Sequence, residues 1–457
     1  MTDRRSRMTT IALAAIALGG WLIRASPLFR ATGAFGVPVD YDEGVYFTAA
    51  KLLFGGVLPY RDFVFVHPPG LLYVLGFLPS FPAARVLATL IGSANIFLVG
   101  RLASRWAGPI AGLVAAALYA GYPEVVVVER GPFLEPLLNL ACLSMALAWL
   151  SNRPVPAGVL GGVAVAVKLW GGVWGLAALV SGPRGWRFPA IAAATAAVLV
   201  GPWLALAGSS FVTDVVLFHA WRPPDGDVVR LARLGTLFGG THAVSAALAV
   251  LGVLVGLTDR TREYRFFAFA YVTTAAAFLA SAAYWGQYNS HLAASETVLA
   301  GFAVAWFWKR VPRLDHFALM AGAALLLAFP SVRFSILDGR KRSSPAIAEA
   351  IRREVPADQC VYAFEPADAL AGGRMVSAMP DPYGAMLLDA VRTGDRFADA
   401  TAAFASPASQ VQIREQLSRC RYAVPGWRGG WQLSEDSRRW FSERFARVEG
   451  TELWKAR

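Results

Sequence analysis

Apolar blocks, each about as long as a bilayer is thick, recur along this 457-residue chain and limit its fold more than any other feature. A helix of about 20 apolar residues crosses the hydrocarbon core, and lipid offers no partner to an open sheet edge. Charged residues make up only 16% of the chain, against roughly 25% in a soluble domain. The expectation is an all-α polytopic membrane protein. Net charge is +12, which in a soluble chain would point to nucleic acid. Here the arginines cluster in short loops between apolar blocks, which fits a positive-inside topology and anionic membrane lipid, with no nucleic-acid partner.

Spans are expected at 9–29, 83–101, 107–126, 134–150, 156–168, 170–181, 187–206, 235–257, 266–284, 292–308 and 316–331, about eleven in all. Arg4, Arg5 and Arg7 hold the N-terminus in the cytoplasm. The opening MTDRRSRM and its apolar run could pass for a signal peptide, but the run extends to Phe29 without a clean small-x-small site and is read as a retained helix. Arg61, Arg85, Arg130, Arg222 and Arg230 fall outside, so orientation rests on the bias over several loops. Residues 1–331 form the membrane domain, with a first outer loop at 30–82. Residues 332–457 form a small extracytoplasmic α/β domain, in which SPAIAEAIRREV reads as an amphipathic helix and CVYAFEP and CRYAVPG as strands. Cys360 and Cys420 lie in those strand-like pieces. That compartment permits a disulfide, and two buried thiols is the equal alternative. Cys142 is an inert packing residue in an apolar block.

The ionisable residues concentrate between Asp40 and Gly70, in DYDEGVYFTAAKLLFGGVLPYRDFVFVHPPG. Asp42 and Glu43 are adjacent and start a helix lying in the interface plane. Tyr46, Arg61, Asp62 and His67 follow, the last before a double proline. Ionisable groups so near a bilayer point to binding or catalysis. Adjacent helical residues point about 100° apart, so one carboxylate can face a site while the other braces a cation. Asp42 could equally be a plain helix N-cap. Glu129, Arg130 and Glu135 mark a second outer turn, where a structural ion pair competes with a shared cavity. Lys168 interrupts an apolar run beside glycines and suits a phosphate, or merely snorkels to the interface. His219 and Arg222, with Tyr288 and His291, sit on further outer turns, and could line the same cavity or be ordinary polar turns. His242 and His316 read as structural.

Together these pieces resemble the GT-C superfamily of polyprenyl-phosphate-sugar-dependent glycosyltransferases, in particular protein O-mannosyltransferases and lipid A aminoarabinose transferases. The carriers are Asp42-Glu43, then His67-Pro68-Pro69, then Arg130 to Glu135, then Lys168-Leu169-Trp170-Gly171, over roughly residues 40–180. The chain departs from the pattern at Glu135, where Asp is common, and at Gly70-Leu71-Leu72, where a Lys often follows the prolines. The loop at 208–233 is too short for the domain that protein O-mannosyltransferases insert, so a protein acceptor is not supported. The resemblance implies an inverting transfer of a mannose-like sugar or a pentose from a polyprenyl-phosphate donor to an extracytoplasmic hydroxyl on a glycan, lipid or protein. Asp42 would act as the base. Lys168 and Arg130 would hold the phosphate. Glu43 and Glu135 would position the acceptor or hold Arg130, and Glu129, Asp62, His67, Tyr46, Arg61, His219, Arg222, Tyr288 and His291 would line the substrate site. Asp42 and Glu43 leave room for a divalent cation, Mg or Mn, though nothing demands one. The competing classes are a flippase or transporter of lipid-linked sugars, and an inactive scaffold of the cell envelope. A transporter is disfavoured because no second copy of the Asp42–Gly70 stretch or of the Lys168 break occurs.

Overall fold

Prolines and glycines set where the apolar helices begin and stop. The structure is a computed structural model that describes residues 2–26, 40–182, 185–226, 229–259, 261–310, 345–374 and 379–457. The expected span 316–331 and His316 lie outside the described residues, as does the start of the first outer loop. Among the described residues, Ser6–Ala25, Phe81–Ala107 and Arg187–Ala207 are long and apolar enough to cross a bilayer. A fourth such span is the pair Arg230–Phe238 and Ala243–Asp259, bent by 92°. Other expected spans are shorter helices. Pro109–Gly121 is opened by a proline at its first turn and stopped before Pro123, and Pro154–Val167 stops at Lys168. Proline preorganises a first helical turn but cannot continue the helix before it, so a run that reads as one span by hydropathy is cut short. Leu134–Leu150, Gly171–Ser181, Arg262–Ala280 and Asn289–Trp308 complete the set of long helices. These pack into one apolar core running from Leu13 to Ala305.

Helix Tyr41–Phe54 follows from its own sequence. Asp40 is extended, and its carboxylate accepts from the Asp42 N–H at 3.2 Å, capping the helix. Asp42 and Glu43 in the first turn and Lys51 in the last complement the helix dipole. Gly55 closes it with backbone hydrogen bonds to Lys51 and Leu52.

Residues 345–457 build a four-stranded sheet in the order Val361–Ala363, Tyr422–Val424, Trp454–Ala456, Phe445–Arg447. The first pair is parallel and the others antiparallel. Cys360 and Cys420, just ahead of the parallel pair, are joined in a disulfide. The described part of this segment is fastened to the outer loops. Val66 and Phe218 share an apolar cluster with Phe364, Met386 and Phe404. Arg392 pairs with buried Asp214 at 2.9 Å, and the Ala400 N–H donates to the Pro224 carbonyl at 2.9 Å.

Gly44 lets helix Tyr41–Phe54 lie directly on the backbone of Pro366–Ala371: a Cβ there would stand 2.4 Å from the Ala367 nitrogen. Gly44→Val is expected to cost about 1–3 kcal/mol through overpacking and to loosen the C-terminal segment. Limited proteolysis should release that segment from the variant at protease levels that leave the wild type whole.

Candidate active site

The sheet-and-helix segment and the membrane helices meet over a cavity whose empty space, counted out to its open mouth, is about 840 Å³. Asp42 stands in its wall. Because Asp40 performs the capping, the Asp42 carboxylate is left for the cavity, where Oδ2 accepts from the Gln287 amide at 2.8 Å. Gln287 reaches it from a single 3-10 turn, Gly286–Tyr288, set by the short parallel pairing of Asp225–Gly226 with Ala283–Tyr284. Burial, then the neighbouring charge of Asp40, raises the Asp42 carboxyl to about 8, with Glu135 and Asp381 adding and Lys168 opposing. By exposed area Asp42 is only half-buried, since the cavity opens on it. Water filling the empty cavity therefore relaxes this shift, and a substrate that displaces the water restores it.

Lys168 faces the same space. Its backbone turns extended where Pro154–Val167 ends, and Nζ reaches Glu135 Oε1 at 2.6 Å, with the Tyr288 ring 4.6 Å below. Arg222 lines the cavity beside it, paired with Asp225, whose other oxygen accepts from the Tyr383 hydroxyl at 2.7 Å. Arg222 Nε is buried with no hydrogen-bond partner. His67 and His219 stack with ring centroids 5.2 Å apart. The double proline after His67 favours extended backbone there. Burial pushes His67 well down and His219 to about 4, with nearby Arg222 acting the same way on both. Both rings are therefore neutral at neutral pH. His67 Nδ1 is buried without a partner.

The far wall comes from the C-terminal segment. Asp381 caps helix Pro382–Thr393 and accepts from the Tyr41 hydroxyl at 2.8 Å, and Arg428 lies 4.3 Å over the Tyr41 ring, held by Glu365 at 2.7 Å. Burial raises the Asp381 carboxyl.

Of the residues expected at a substrate site, the structure gathers Asp42, Tyr46, His67, Glu135, Lys168, His219, Arg222 and Tyr288 around this cavity. It puts the others elsewhere. Glu43 points the opposite way from Asp42, as the 100° between adjacent helical residues permits, and both its oxygens are held by Arg85 at 2.9 and 3.0 Å, fully buried. A divalent ion shared by Asp42 and Glu43 therefore does not fit this donor arrangement. Glu129 is buried with Arg24, Asn95 and Tyr119, each at 2.8 Å. Arg130, in the tight turn after it, is buried away from the cavity wall. Arg61 and Asp62 pair with each other at the surface. His291 lies a turn deeper, paired with Asn139 at 2.7 Å. Gln287, Asp225, Asp381, Tyr383 and Arg428 were not anticipated. Asp381-Pro382 signals a helix start and nothing more, and no local pattern tells that it meets Tyr41, 340 residues away.

No family model matches the sequence, and no curated protein matches it. The fold, however, is that of the GT-C membrane proteins, so the chain is built as a multi-pass membrane protein of that class. ArnT from Cupriavidus metallidurans in its apo state is similar with a TM-score of 0.63 at 18% identity, covering 97% of this chain and 96% of that one. The same protein bound to undecaprenyl phosphate gives 0.65 at 16%, covering 97% of each. The oligosaccharyltransferase AglB from Archaeoglobus fulgidus, with an inhibitory peptide and a dolichol-phosphate, gives 0.58 at 13%, covering 90% of this chain and 69% of that one.

Proposed function

We propose that this chain is an inverting glycosyltransferase that moves a sugar, mannose-like or a pentose, from a polyprenyl-phosphate donor to an extracytoplasmic acceptor hydroxyl. The observation that carries the reading is one cavity holding a carboxylate relieved of its capping duty together with a lysine and an arginine. The fold shared with structures that contain undecaprenyl phosphate and dolichol-phosphate supports a lipid-phosphate donor. Asp42 takes the proton of the acceptor hydroxyl as its oxygen attacks the anomeric carbon. The bond from that carbon to the phosphate oxygen breaks through an oxocarbenium-like state, and polyprenyl phosphate leaves. Lys168 and Arg222 stabilise the charge on the departing phosphate, the kind of electrostatic term that is usually largest. Arg222 takes the part that the sequence suggested for Arg130. Glu135 holds Lys168 in place. Asp381, Tyr383 and Arg428 form the wall left for the acceptor. In this reading residues 332–457 are an extracytoplasmic domain and the N-terminus is cytoplasmic.

Membranes carrying the wild-type protein should transfer radiolabel from at least one member of a panel of polyprenyl-phosphate sugars. Absence of transfer from every donor, in protein that still binds the lipid, would count against the enzyme. The pH profile is a second expected outcome. A base must be ionised, and the Asp42 carboxyl is raised to about 8. The rate at low donor concentration should therefore climb as pH rises through about 8 and level above it. A profile already flat from pH 6 upward would contradict this.

A further inference from the structure

Deeper than the cavity, a second group of polar side chains is enclosed by the helices and shares no residue with the cavity wall. Glu296, two turns into Asn289–Trp308, has no exposed surface. Its Oε1 accepts from the Ser245 hydroxyl, while Oε2 has no hydrogen-bond partner. Tyr122 and Tyr271 are buried and stand near enough to bear on Glu296 electrostatically, yet neither hydroxyl makes a hydrogen bond of ordinary geometry. Thr274, one turn on from Tyr271 and on the same face, also has a buried hydroxyl without a partner. His242 stacks on Tyr122 at 5.0 Å and makes a long 3.5 Å contact with the half-buried Glu124 at the edge of the group. Among the described residues, Glu296 has no ion pair with a Lys or Arg.

Buried polar atoms are nearly always satisfied, so four orphans in one place ask for something to fill them. A buried carboxylate without a countercharge is costly. Water would satisfy hydrogen bonds but leave that charge uncompensated. Hard cations take oxygen ligands, carboxylate and neutral oxygens alike, and one carboxylate balances a single positive charge. We propose that Glu296, with the Tyr122 and Tyr271 hydroxyls, forms a binding site for a monovalent hard cation of the sodium type. Ser245 fixes the carboxylate, and the cation ties together the segments that bear Tyr122, Ser245, Tyr271 and Glu296.

The test is thermal unfolding of the purified full-length protein in detergent, in sodium chloride against choline chloride at equal ionic strength, with ²³Na linewidths measured alongside. A ligand of the native state raises the melting temperature saturably. That rise and the line broadening should appear in the wild type and vanish in Glu296→Gln. Should Glu296→Gln fail to fold, Tyr271→Phe serves in its place, weakening the apparent sodium affinity by about 10-fold or more. Equal melting in both salts with no broadening in the wild type would overturn the site, leaving a protonated carboxyl among waters. Sodium dependence that persists unchanged in the folded variant would overturn the assignment to these residues.

Discussion

Asp42→Asn should remove sugar transfer by about 10²–10⁴-fold, the range a positioned base contributes, and leave the protein folded. The variant keeps the shape of the side chain and an oxygen able to accept from Gln287. Helix Tyr41–Phe54 does not depend on it, because Asp40 is the cap. Stability should move the other way from activity. A carboxyl raised to about 8 in the folded protein, against about 4 unfolded, binds more protons when folded between those values. Its contribution to stability therefore falls as pH rises from about 4 to 8. Replacing it with a neutral amide removes that cost, so Asp42→Asn should melt higher than the wild type, most clearly at pH 8 and above. Loss of transfer with a raised melting temperature is the signature of a functional group held in an unfavourable place. Transfer within a few-fold of wild type in the variant would remove Asp42 from the mechanism.

What the sequence discloses about this site follows from how local each feature is. The helix after Asp40, the turn at the double proline and the break at Lys168 are written in neighbouring residues, and each stands in the structure near where capping and proline rules put it. Local rules also show that Asp42 and Glu43 diverge, but not which of them meets the cavity. Asp40 and Arg85 decide that: one takes the cap, the other takes Glu43. Neither decision is visible without the fold. The exchange of Arg130 for Arg222 has the same cause. Both are arginines in outer turns, and only packing distinguishes the one beside Lys168. The lengths of the helices mislead for another reason. Hydropathy sums over Pro109, Pro123 and Pro154 as though they were neutral, whereas each marks the start of a helix and limits how far it runs. The far wall, with Asp381 and Arg428, depends on contacts hundreds of residues apart and has no signature in the chain.

Glu43→Gln should behave as the reverse of Asp42→Asn, with a large loss of stability and sugar transfer retained in the molecules that stay folded. Glu43 and Arg85 have no exposed side-chain surface, and the guanidinium meets both carboxylate oxygens. The bidentate geometry is strong and directional. The chain keeps room for it: a Cβ on Gly131 would stand 2.4 Å from the Glu43 carboxylate. Removing one member of a buried pair leaves the other charge without its counterpart, at a cost of about 3–5 kcal/mol. The affected contact joins the helix that carries Asp42 to Phe81–Ala107, so the loss acts on the frame of the cavity rather than on its chemistry. The double variant Glu43→Leu/Arg85→Met removes both charges together and should recover most of the lost stability, because an apolar pair of similar bulk often replaces a buried ion pair without penalty. Melting temperatures of the two variants, with transfer measured per folded molecule, separate the roles. If Glu43→Gln melts like the wild type and yet transfers no sugar, Glu43 belongs to the reaction and its pairing with Arg85 is incidental to stability. If the single variant is destabilised and the double variant recovers both stability and transfer, the adjacent carboxylates divide the work: Asp42 meets the substrate, and Glu43 secures the helix from which Asp42 does so.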